Sequence, residues 1–257
     1  MRYGLIGEKL GHSYSKLIHE KLADYTYDLI PLNREEFDAF MKARDFDAIN
    51  VTIPYKQAVI PFLDELHPLA ARIGAVNTVV NKEGRLTGYN TDFYGFEFML
   101  TQNRIEIEGK KCIILGNGGS SQTIKAVLLH LNASDIVVVS RRASDDCISY
   151  ENCYSDYNDA QIIVNTTPLG MYQGIDASPL DLTTFRSCEA VVDIIFNPFW
   201  TRLTLQADEL GIKAVSGLYM LVAQAKQAVE YFLNKKIDEV VIEQVYQELL
   251  PVIRMNN

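Results

Sequence analysis

The chain has 257 residues, of which 48% are hydrophobic and 22% charged, the balance of a soluble globular protein with one large domain or two of ordinary size. Its net charge of −9 argues against a nucleic-acid groove, because phosphate binding needs a basic surface. A small anionic substrate needs only a local positive site and is not excluded, whereas no apolar run approaches the roughly 18 residues of a membrane span.

Strand and helix patterns alternate through the first part of the chain. The apolar runs predict strands at residues 2–6, 27–32, 47–53, 75–81 and 85–90. Helical spacing predicts helices at residues 15–25, 63–73 and 92–103. The last two strands are expected to form a hairpin, and Asn33 is the expected N-cap of a further helix.

The second part has a more regular alternation of the two patterns. A strand buried on both faces is predicted at residues 110–115, followed by Gly116-Asn-Gly-Gly-Ser-Ser121 and a helix. Further strands are predicted at residues 135–139, 161–164, 190–195 and 212–215. The tail, residues 218–253, contains two helical patterns. Strands that alternate with helices predict an α/β fold with a parallel, doubly wound sheet.

Polar and ionisable groups stand where the predicted strands of the first part end. Lys56 closes the segment Asn50-Val-Thr-Ile-Pro-Tyr-Lys56, in which Pro54 stops the strand, and Asp92 follows the hairpin. Open α/β sheets bind ligands at such strand ends, and a lysine beside a carboxylate there can form a proton-transfer pair. Taken alone, the two residues are more typical of a surface lysine at a helix N-terminus and an aspartate N-cap, and the rest of the chain has to overturn that interpretation.

The glycine-rich segment after the strand at 110–115 has the context of a dinucleotide-binding loop. Gly116 allows a tight turn, and Gly118 and Gly119 let backbone N–H groups approach a pyrophosphate at the helix N-terminus. Ser121 takes the place of the third glycine and is still small enough for close packing. A plain strand-to-helix turn is the alternative interpretation.

The residues after the next predicted strand indicate which nicotinamide cofactor binds. An NAD site favours a carboxylate there, whereas the 2′-phosphate of NADP favours arginine. The sequence has Ser140-Arg141-Arg142 and no carboxylate before Asp145. The planar guanidinium of Arg141 and the hydroxyl of Ser140 suit a phosphate, so NADP is the predicted cofactor.

Several motifs, found in one order along the chain, resemble those of the shikimate dehydrogenase family over nearly its whole length. They are Gly11-His-Ser-Tyr-Ser15, Asn50-Val-Thr-Ile-Pro-Tyr-Lys56, Gly74-Ala-Val-Asn-Thr78, Asn90-Thr-Asp92, Gly116-Asn-Gly-Gly119, Asn165-Thr-Thr-Pro-Leu-Gly-Met171 and Met220-Leu-Val-Ala-Gln224. The resemblance implies an enzyme that interconverts 3-dehydroshikimate and shikimate with NADP(H) in aromatic amino-acid biosynthesis. It also implies an N-terminal α/β substrate domain (residues 1–99 with 219–257) and a Rossmann-type NADP-binding domain (residues 100–218), with the C-terminal helices packing back on the N-terminal domain.

The resemblance assigns roles to individual residues. Ser13 and Ser15 would hold the substrate carboxylate, and Lys56, oriented by Asp92, would carry the proton. The substrate hydroxyls would be surrounded by Thr52, Lys56, Asn77, Asp92 and Gln224. The expected cofactor contacts are Gly116, Asn117, Gly118, Gly119, Ser120, Ser140, Arg141, Arg142, Thr166, Ile194 and Gly217.

The chain departs from the family pattern at three places. The family usually has one proline near the position of Lys9 and a second proline directly after the second serine, where this chain has Lys16. These changes predict a looser loop or extra positive charge near the substrate carboxylate. Phe196 replaces the tyrosine whose hydroxyl, in the family, helps to hold the substrate. Weaker shikimate binding is therefore expected, with Tyr219 as an alternative hydroxyl donor.

Three other functions remain open at this stage: a quinate or quinate/shikimate dehydrogenase, a methylenetetrahydrofolate dehydrogenase, and an NADP-binding regulatory protein without catalysis. The paired serines and Ser140-Arg141 favour shikimate production with NADP. The short chain argues against the folate enzyme, and Lys56 with Asp92 argues against a non-catalytic protein.

The cysteines and histidines bear on compartment and metal content. Cys112, Cys147, Cys153 and Cys188 form no C-x-x-C pair and are predicted to be reduced thiols. With no hydrophobic leader after Met1, a cytoplasmic protein is expected. His12 and His19 lack partners at ligand spacing, so structural roles and no metal are predicted.

The expected partner is a small-molecule substrate, without nucleic acid or membrane, and the expected oligomeric state is a monomer or homodimer.

Overall fold

The computed structural model describes residues 2–11, 13–172 and 174–255. Contacts between Cα atoms divide the chain into two compact units, the first formed by residues 1–95 and 222–245 and the second by residues 96–221 and 246–257. Within the described ranges, no helix has both the length and the apolar character needed to cross a membrane.

The first unit is built on a mixed six-stranded sheet. Its strands are β1 (Tyr3–Gly7), β2 (Tyr27–Pro31), β3 (Ala48–Val51), β4 (Glu65–Leu66), β5 (Thr78–Lys82) and β6 (Arg85–Tyr89). They lie in the order β2-β1-β3-β5-β6-β4, in which β5 is antiparallel to both of its neighbours. The helices that begin in this part of the chain are α1 (Ser15–Leu22), α2 (Arg34–Ala43), α3 (Pro68–Ile73) and α4 (Asp92–Gln102).

The second unit contains a five-stranded parallel sheet. Its strands are β7 (Lys111–Leu115), β8 (Asp135–Val139), β9 (Ile162–Asn165), β10 (Ala190–Asp193) and β11 (Lys213–Val215). The order β8-β7-β9-β10-β11 is doubly wound and reverses between β7 and β9, which is where such sheets bind their ligands. The remaining helices are α5 (Gly119–His130), α6 (Tyr150–Asp156), α7 (Arg202–Glu209), α8 (Leu218–Leu233) and α9 (Val240–Met255).

The prediction of one helix at residues 63–73 is wrong. A 3₁₀ turn (Ile60–Phe62) is followed by the short strand β4, and α3 begins only at Pro68. Proline lacks an N–H donor and suits the first turn of a helix, so it starts α3 instead of standing inside a longer helix. The helical periodicity also gave no prediction of α6 or α7, which are short.

Local capping chemistry explains why α2 begins where the sequence predicts. The Asn33 side chain accepts hydrogen bonds from the backbone N–H groups of Glu35 and Glu36 at 3.0 Å, and the Glu36 carboxylate accepts from the Asn33 N–H at 2.8 Å. This reciprocal capping box satisfies N–H groups that a helix start otherwise leaves unpaired. Behind α2, Phe37 and Met41 pack into the core of the first unit.

The end of the chain is divided between the two units. Ala228 and Phe232 of α8 pack against Tyr3 and Tyr27 of the first sheet, as expected for a C-terminal helix that folds back on the N-terminal part. The sequence predicts residues 246–257 in the same domain, whereas they cluster with the second unit. The stacking of Tyr246 on Tyr219, with centroids 3.8 Å apart, is one contact of that cluster.

Candidate active site

The register of the first sheet brings the predicted substrate residues to one edge. Asn50 near the end of β3 pairs with Thr78 at the start of β5, and Thr78 pairs with Tyr89 at the end of β6. Because β5 runs antiparallel to both neighbours, the loop before it shares an edge with the loops after β3 and β6. The end of β1 reaches the same edge through its parallel pairing with β3. The segments that carry the serines, Lys56, Asn77 and Asp92 therefore all leave the sheet at this edge.

Lys56 and Asp92 form a close ion pair at this edge. The Lys56 Nζ lies 2.6 Å from Asp92 Oδ2, and the two side chains are 14% and 8% exposed. Lys56 lies in a turn after β3 and Asp92 is the first residue of α4, so the alternative of a surface lysine on a helix N-terminus is wrong. The Val76 N–H donates to the Lys56 carbonyl at 2.8 Å, which fixes the backbone of the turn. A half-buried ammonium is thus held in place by a buried carboxylate.

Asn77 belongs to a buried hydrogen-bond network beside this pair. Its Oδ1 accepts from the Thr91 N–H at 2.7 Å, and its Nδ2 donates to Thr91 Oγ1 at 2.9 Å. Asn77 and Thr91 are 4% and 0% exposed. Gln224 reaches the edge of the network, with its Oε1 3.5 Å from Thr91 Oγ1. The amide of Asn77 is therefore oriented from both ends, and Thr91 stands directly before Asp92.

The same network continues inward through two residues that sequence reasoning missed. Asn50 donates to the Asn77 carbonyl at 3.2 Å and to Thr78 Oγ1 at 3.0 Å, and its Oδ1 accepts from the Tyr27 hydroxyl at 2.7 Å. Tyr27 stacks on His19, whose pKa is lowered to about 3 by burial, so that the imidazole is neutral. Asn50 begins the motif that ends at Lys56, whereas nothing in the sequence around Tyr27 beyond its strand pattern indicates a role at the site.

The two serines lie on the loop between β1 and α1 and are half-buried. Ser13 Oγ accepts from the Ser15 N–H at 3.2 Å, and α1 begins at Ser15 without a side-chain cap. The neighbouring His12 lies outside the described residues. Lys16 does not simply add free charge, because its Nζ is 2.6 Å from Glu20 Oε1 and donates to the Tyr27 carbonyl at 2.7 Å.

Thr52 is placed at the same edge by a close approach between two strands. A Cβ on Gly7 would lie 2.5 Å from Thr52 Cγ2, so the absence of a side chain at Gly7 makes room for the threonine. The Thr52 N–H donates to the Ile6 carbonyl at 2.9 Å. The half-buried Thr52 therefore has a fixed backbone position directly after β3, next to the end of β1.

The glycine loop of the second unit has the geometry of a phosphate cradle. Gly116 has a φ of 103°, and a Cβ there would lie 2.8 Å from Thr166 Oγ1, so the turn requires glycine. Gly118 is the N-cap of α5, has no side-chain cap and has open space where a Cβ would be. Backbone N–H groups at a helix N-terminus attract anionic phosphate, and the pyrophosphate of a dinucleotide fits this arrangement.

The residues predicted to select NADP follow β8 in an exposed loop. Arg141 and Arg142 are exposed and Ser140 is half-buried. The Cys147 thiol connects this loop to the glycine loop, because its Sγ lies 3.7 Å from Asn117 Nδ2 and 3.5 Å from the Arg142 carbonyl. Because Arg141 and Arg142 are exposed, their guanidinium groups are accessible to a phosphate. Cys147 is one of four free cysteines.

The remaining predicted residues lie in the second unit. Ile194 and Phe196 are half-buried in the loop after β10. Gly217 lies against this loop, since a Cβ on it would be 2.1 Å from the Ile194 carbonyl oxygen. Tyr219 stacks on Tyr246 at an interplanar angle of 5°, so its ring is held by an aromatic partner. The described part of the chain brings no three His, Cys, Asp or Glu side chains into a metal-binding group.

Comparison with known proteins identifies what the chain resembles. A family model described as the shikimate dehydrogenase substrate binding domain matches residues 5–79. A Clostridium perfringens protein named shikimate dehydrogenase (NADP(+)) is 37% identical, and the alignment covers 96% of this chain and 97% of that protein.

Two solved structures are similar over nearly the full length. Shikimate dehydrogenase 1 from Peptoclostridium difficile has a TM-score of 0.91 and 33% identity, covering 97% of this chain and 98% of that chain. Shikimate 5-dehydrogenase from Thermus thermophilus, solved with NADP(H) and shikimate, has a TM-score of 0.86 and 29% identity, with coverages of 96% and 99%.

Proposed function

The chain belongs to the shikimate dehydrogenase family, and we propose on this basis that it catalyses the reversible, NADPH-dependent reduction of 3-dehydroshikimate to shikimate in aromatic amino-acid biosynthesis. The observation that carries the proposal is the Lys56–Asp92 pair, with 2.6 Å between nitrogen and oxygen, at the ligand-binding edge of the first sheet. We assign substrate binding to the first unit, because the family model of the substrate binding domain matches residues 5–79. We assign NADP binding to the second unit, because the glycine loop before α5 lies there.

The second unit offers the groups that NADP requires. The pyrophosphate would accept hydrogen bonds from the backbone at the start of α5, beside Gly118, and the 2′-phosphate would pair with Arg141 and Ser140. When bound, the cofactor supplies or accepts the hydride. A preference for NADH over NADPH in direct binding would contradict this assignment.

The first unit offers groups for a small hydroxylated carboxylate. Ser13, Ser15 and the N-terminal backbone of α1 suit the carboxylate, while Asn77 and Gln224 suit hydroxyls. In the direction of reduction, the Lys56 ammonium donates a proton to the oxygen at carbon 3. Asp92 holds the ammonium in position and stabilises its charge.

Replacement of Lys56 tests the proposed proton transfer. Acid–base catalysis by a positioned side chain contributes about 10²- to 10⁴-fold, so Lys56→Ala should lower kcat by about that range with a smaller change in KM. Lys42→Ala, an exposed lysine on α2, is the matched control and should leave both constants unchanged. Wild-type kcat in Lys56→Ala would remove Lys56 from the mechanism.

A substrate panel separates the proposed activity from the other candidates. NADP reduction is measured separately with shikimate, quinate and a folate substrate. Activity confined to shikimate supports the proposal, while comparable activity with quinate indicates a quinate/shikimate dehydrogenase. Binding of NADP without activity on any substrate would favour a regulatory protein.

We further propose a cytoplasmic enzyme that acts as a monomer or homodimer. The four free thiols suit a reducing compartment. Light scattering coupled to gel filtration measures the mass of the particle and tests the oligomeric state, and fractionation of the source cells tests the compartment.

A further inference from the structure

Asp193 is a carboxylate buried in the second unit outside the groups described above. It ends β10 and is 0% exposed. Within the described residues no lysine, arginine or histidine forms an ion pair with it. A charge in such a place needs hydrogen-bond donors, because burial without them is strongly unfavourable.

All the hydrogen bonds that reach Asp193 are donated to it. Asn165 Nδ2 lies 3.1 Å from each carboxylate oxygen, the Ile195 N–H donates to Oδ1 at 3.0 Å, and the Thr201 hydroxyl donates to Oδ2 at 2.8 Å. Burial raises the pKa of Asp193 to about 6, although these bonds oppose the rise. At neutral pH the side chain is therefore an ionised, acceptor-only group that satisfies three donors.

These donors belong to loops that continue from two neighbouring strands. Asn165 ends β9, and its Oδ1 accepts from the Thr167 N–H at 3.0 Å and the Thr167 hydroxyl at 2.7 Å. Ile195 lies in the loop after β10, and Thr201 is the N-cap of α7 at the end of that loop. One carboxylate thus ties together the loop after β9 and both ends of the loop after β10.

Both loops lie at the carboxyl ends of parallel strands, where a doubly wound sheet binds its nucleotide. Thr166, between Asn165 and Thr167, donates to the Leu115 carbonyl at 2.7 Å and contacts the turn at Gly116. Ile194, next to Asp193, packs against Gly217. Thr166 and Ile194, two of the expected cofactor contacts, are therefore sequence neighbours of Asn165 and Ile195, which Asp193 holds by hydrogen bonds.

We infer that Asp193 is a positioning residue for the cofactor, which holds Thr166 and Ile194 in the geometry that NADP(H) requires without touching it. The inference rests on the proposed function for the identity of the ligand. A purely structural aspartate would affect unfolding only, whereas a positioning residue also affects the affinity for NADPH.

The isosteric change Asp193→Asn tests the inference. An amide places an NH₂ group where only an acceptor fits, so the donors of Asn165 and Thr201 compete with it. The Kd for NADPH, measured by nicotinamide fluorescence without substrate, should rise about 10-fold or more, the range for loss of a hydrogen bond to a charged group. The KM for shikimate at saturating NADP should change less than the Kd for NADPH, because the groups proposed for the substrate carboxylate and hydroxyls (Ser13, Ser15, Asn77 and Gln224) lie in the first unit.

Two further variants define the outcome. Asp181→Asn, an exposed aspartate of the same unit that caps a 3₁₀ turn, is the matched control and should bind NADPH like the wild type. The double variant Asn165→Asp/Asp193→Asn restores one donor–acceptor pair and the buried charge, and should recover part of the lost affinity. Wild-type NADPH affinity in Asp193→Asn would overturn the inference.

The design separates this inference from the proposed function. If the wild type binds NADPH but does not oxidise shikimate, the proposed function fails while the fluorescence measurement still tests Asp193. If Asp193→Asn does not fold, Thr201→Val keeps the carboxylate and removes the hydroxyl that donates to Asp193 Oδ2 at 2.8 Å. Unchanged NADPH affinity in Thr201→Val would then overturn the inference.

Discussion

Removal of the Tyr27 hydroxyl perturbs the network behind the substrate residues at one atom. Tyr27 is 0% exposed and donates to Asn50 Oδ1 at 2.7 Å. Phenylalanine keeps the ring that stacks on His19, so the change leaves no large cavity. It leaves a buried acceptor unpaired, which destabilises a protein by about 1–3 kcal/mol. Tyr27→Phe should therefore lower the free energy of unfolding by that amount.

Urea denaturation followed by circular dichroism measures this loss. Tyr231→Phe is the matched control, because Tyr231 is half-buried and stacks on Tyr89 with centroids 4.0 Å apart, while its hydroxyl makes no hydrogen bond to a described residue. The control should change the unfolding free energy by less than about 0.5 kcal/mol.

The same variant has a kinetic consequence, since Asn50 holds the Asn77 carbonyl and the Thr78 hydroxyl. The KM for shikimate should rise by up to about 5-fold, which corresponds to about 1 kcal/mol, with the KM for NADP unchanged. Equal stability and equal KM in Tyr27→Phe and Tyr231→Phe would refute the reasoning.

Three other predictions concern the second unit. Phe196→Tyr should lower the KM for shikimate if the family hydroxyl is restored; an unchanged KM means that Phe196 does not face the substrate. Gly217→Ala should lower the free energy of unfolding by about 1–3 kcal/mol and weaken NADP binding, because its Cβ would lie 2.1 Å from the Ile194 carbonyl oxygen. Gly174→Ala, where a Cβ has space, is the control in the denaturation and binding assays. The pKa of Asp193 is raised from 3.8 to about 6 in the folded state. Between about pH 4 and pH 6 the folded protein therefore keeps a proton on Asp193 that the unfolded chain has lost, and the contribution of this group to the free energy of unfolding falls as the pH rises through that range. Relative to wild type, Asp193→Asn should therefore gain up to about 3 kcal/mol between pH 4 and pH 7 in urea denaturation, at 1.36 kcal/mol per pKa unit; a difference independent of pH would contradict this.

Local interactions explain why much of the fold follows from the sequence. The start of α2 depends on Asn33 and Glu36, three positions apart, and the prediction is confirmed by their capping box. The strand β7 is a run of mostly apolar residues followed at once by Gly116, so residues adjacent in the sequence specify both the strand and its end. The region of residues 60–73 is different, because the short strand β4 forms only by pairing with β6, and no local pattern specifies that partner.

The sequence by itself determined the family and the NADP-type loop, and it predicted Lys56 and Asp92 as the proton-transfer pair, since these depend on residue types within short motifs. Only the tertiary structure decided that their charged atoms lie 2.6 Å apart, because that contact needs β5 inserted antiparallel between β3 and β6. The burial of Asp193 and the convergence of donors from Asn165, Ile195 and Thr201 were likewise settled by the fold. Hydrogen bonds of this kind join positions that become neighbours only when the strands pair, and no spacing along the chain encodes them.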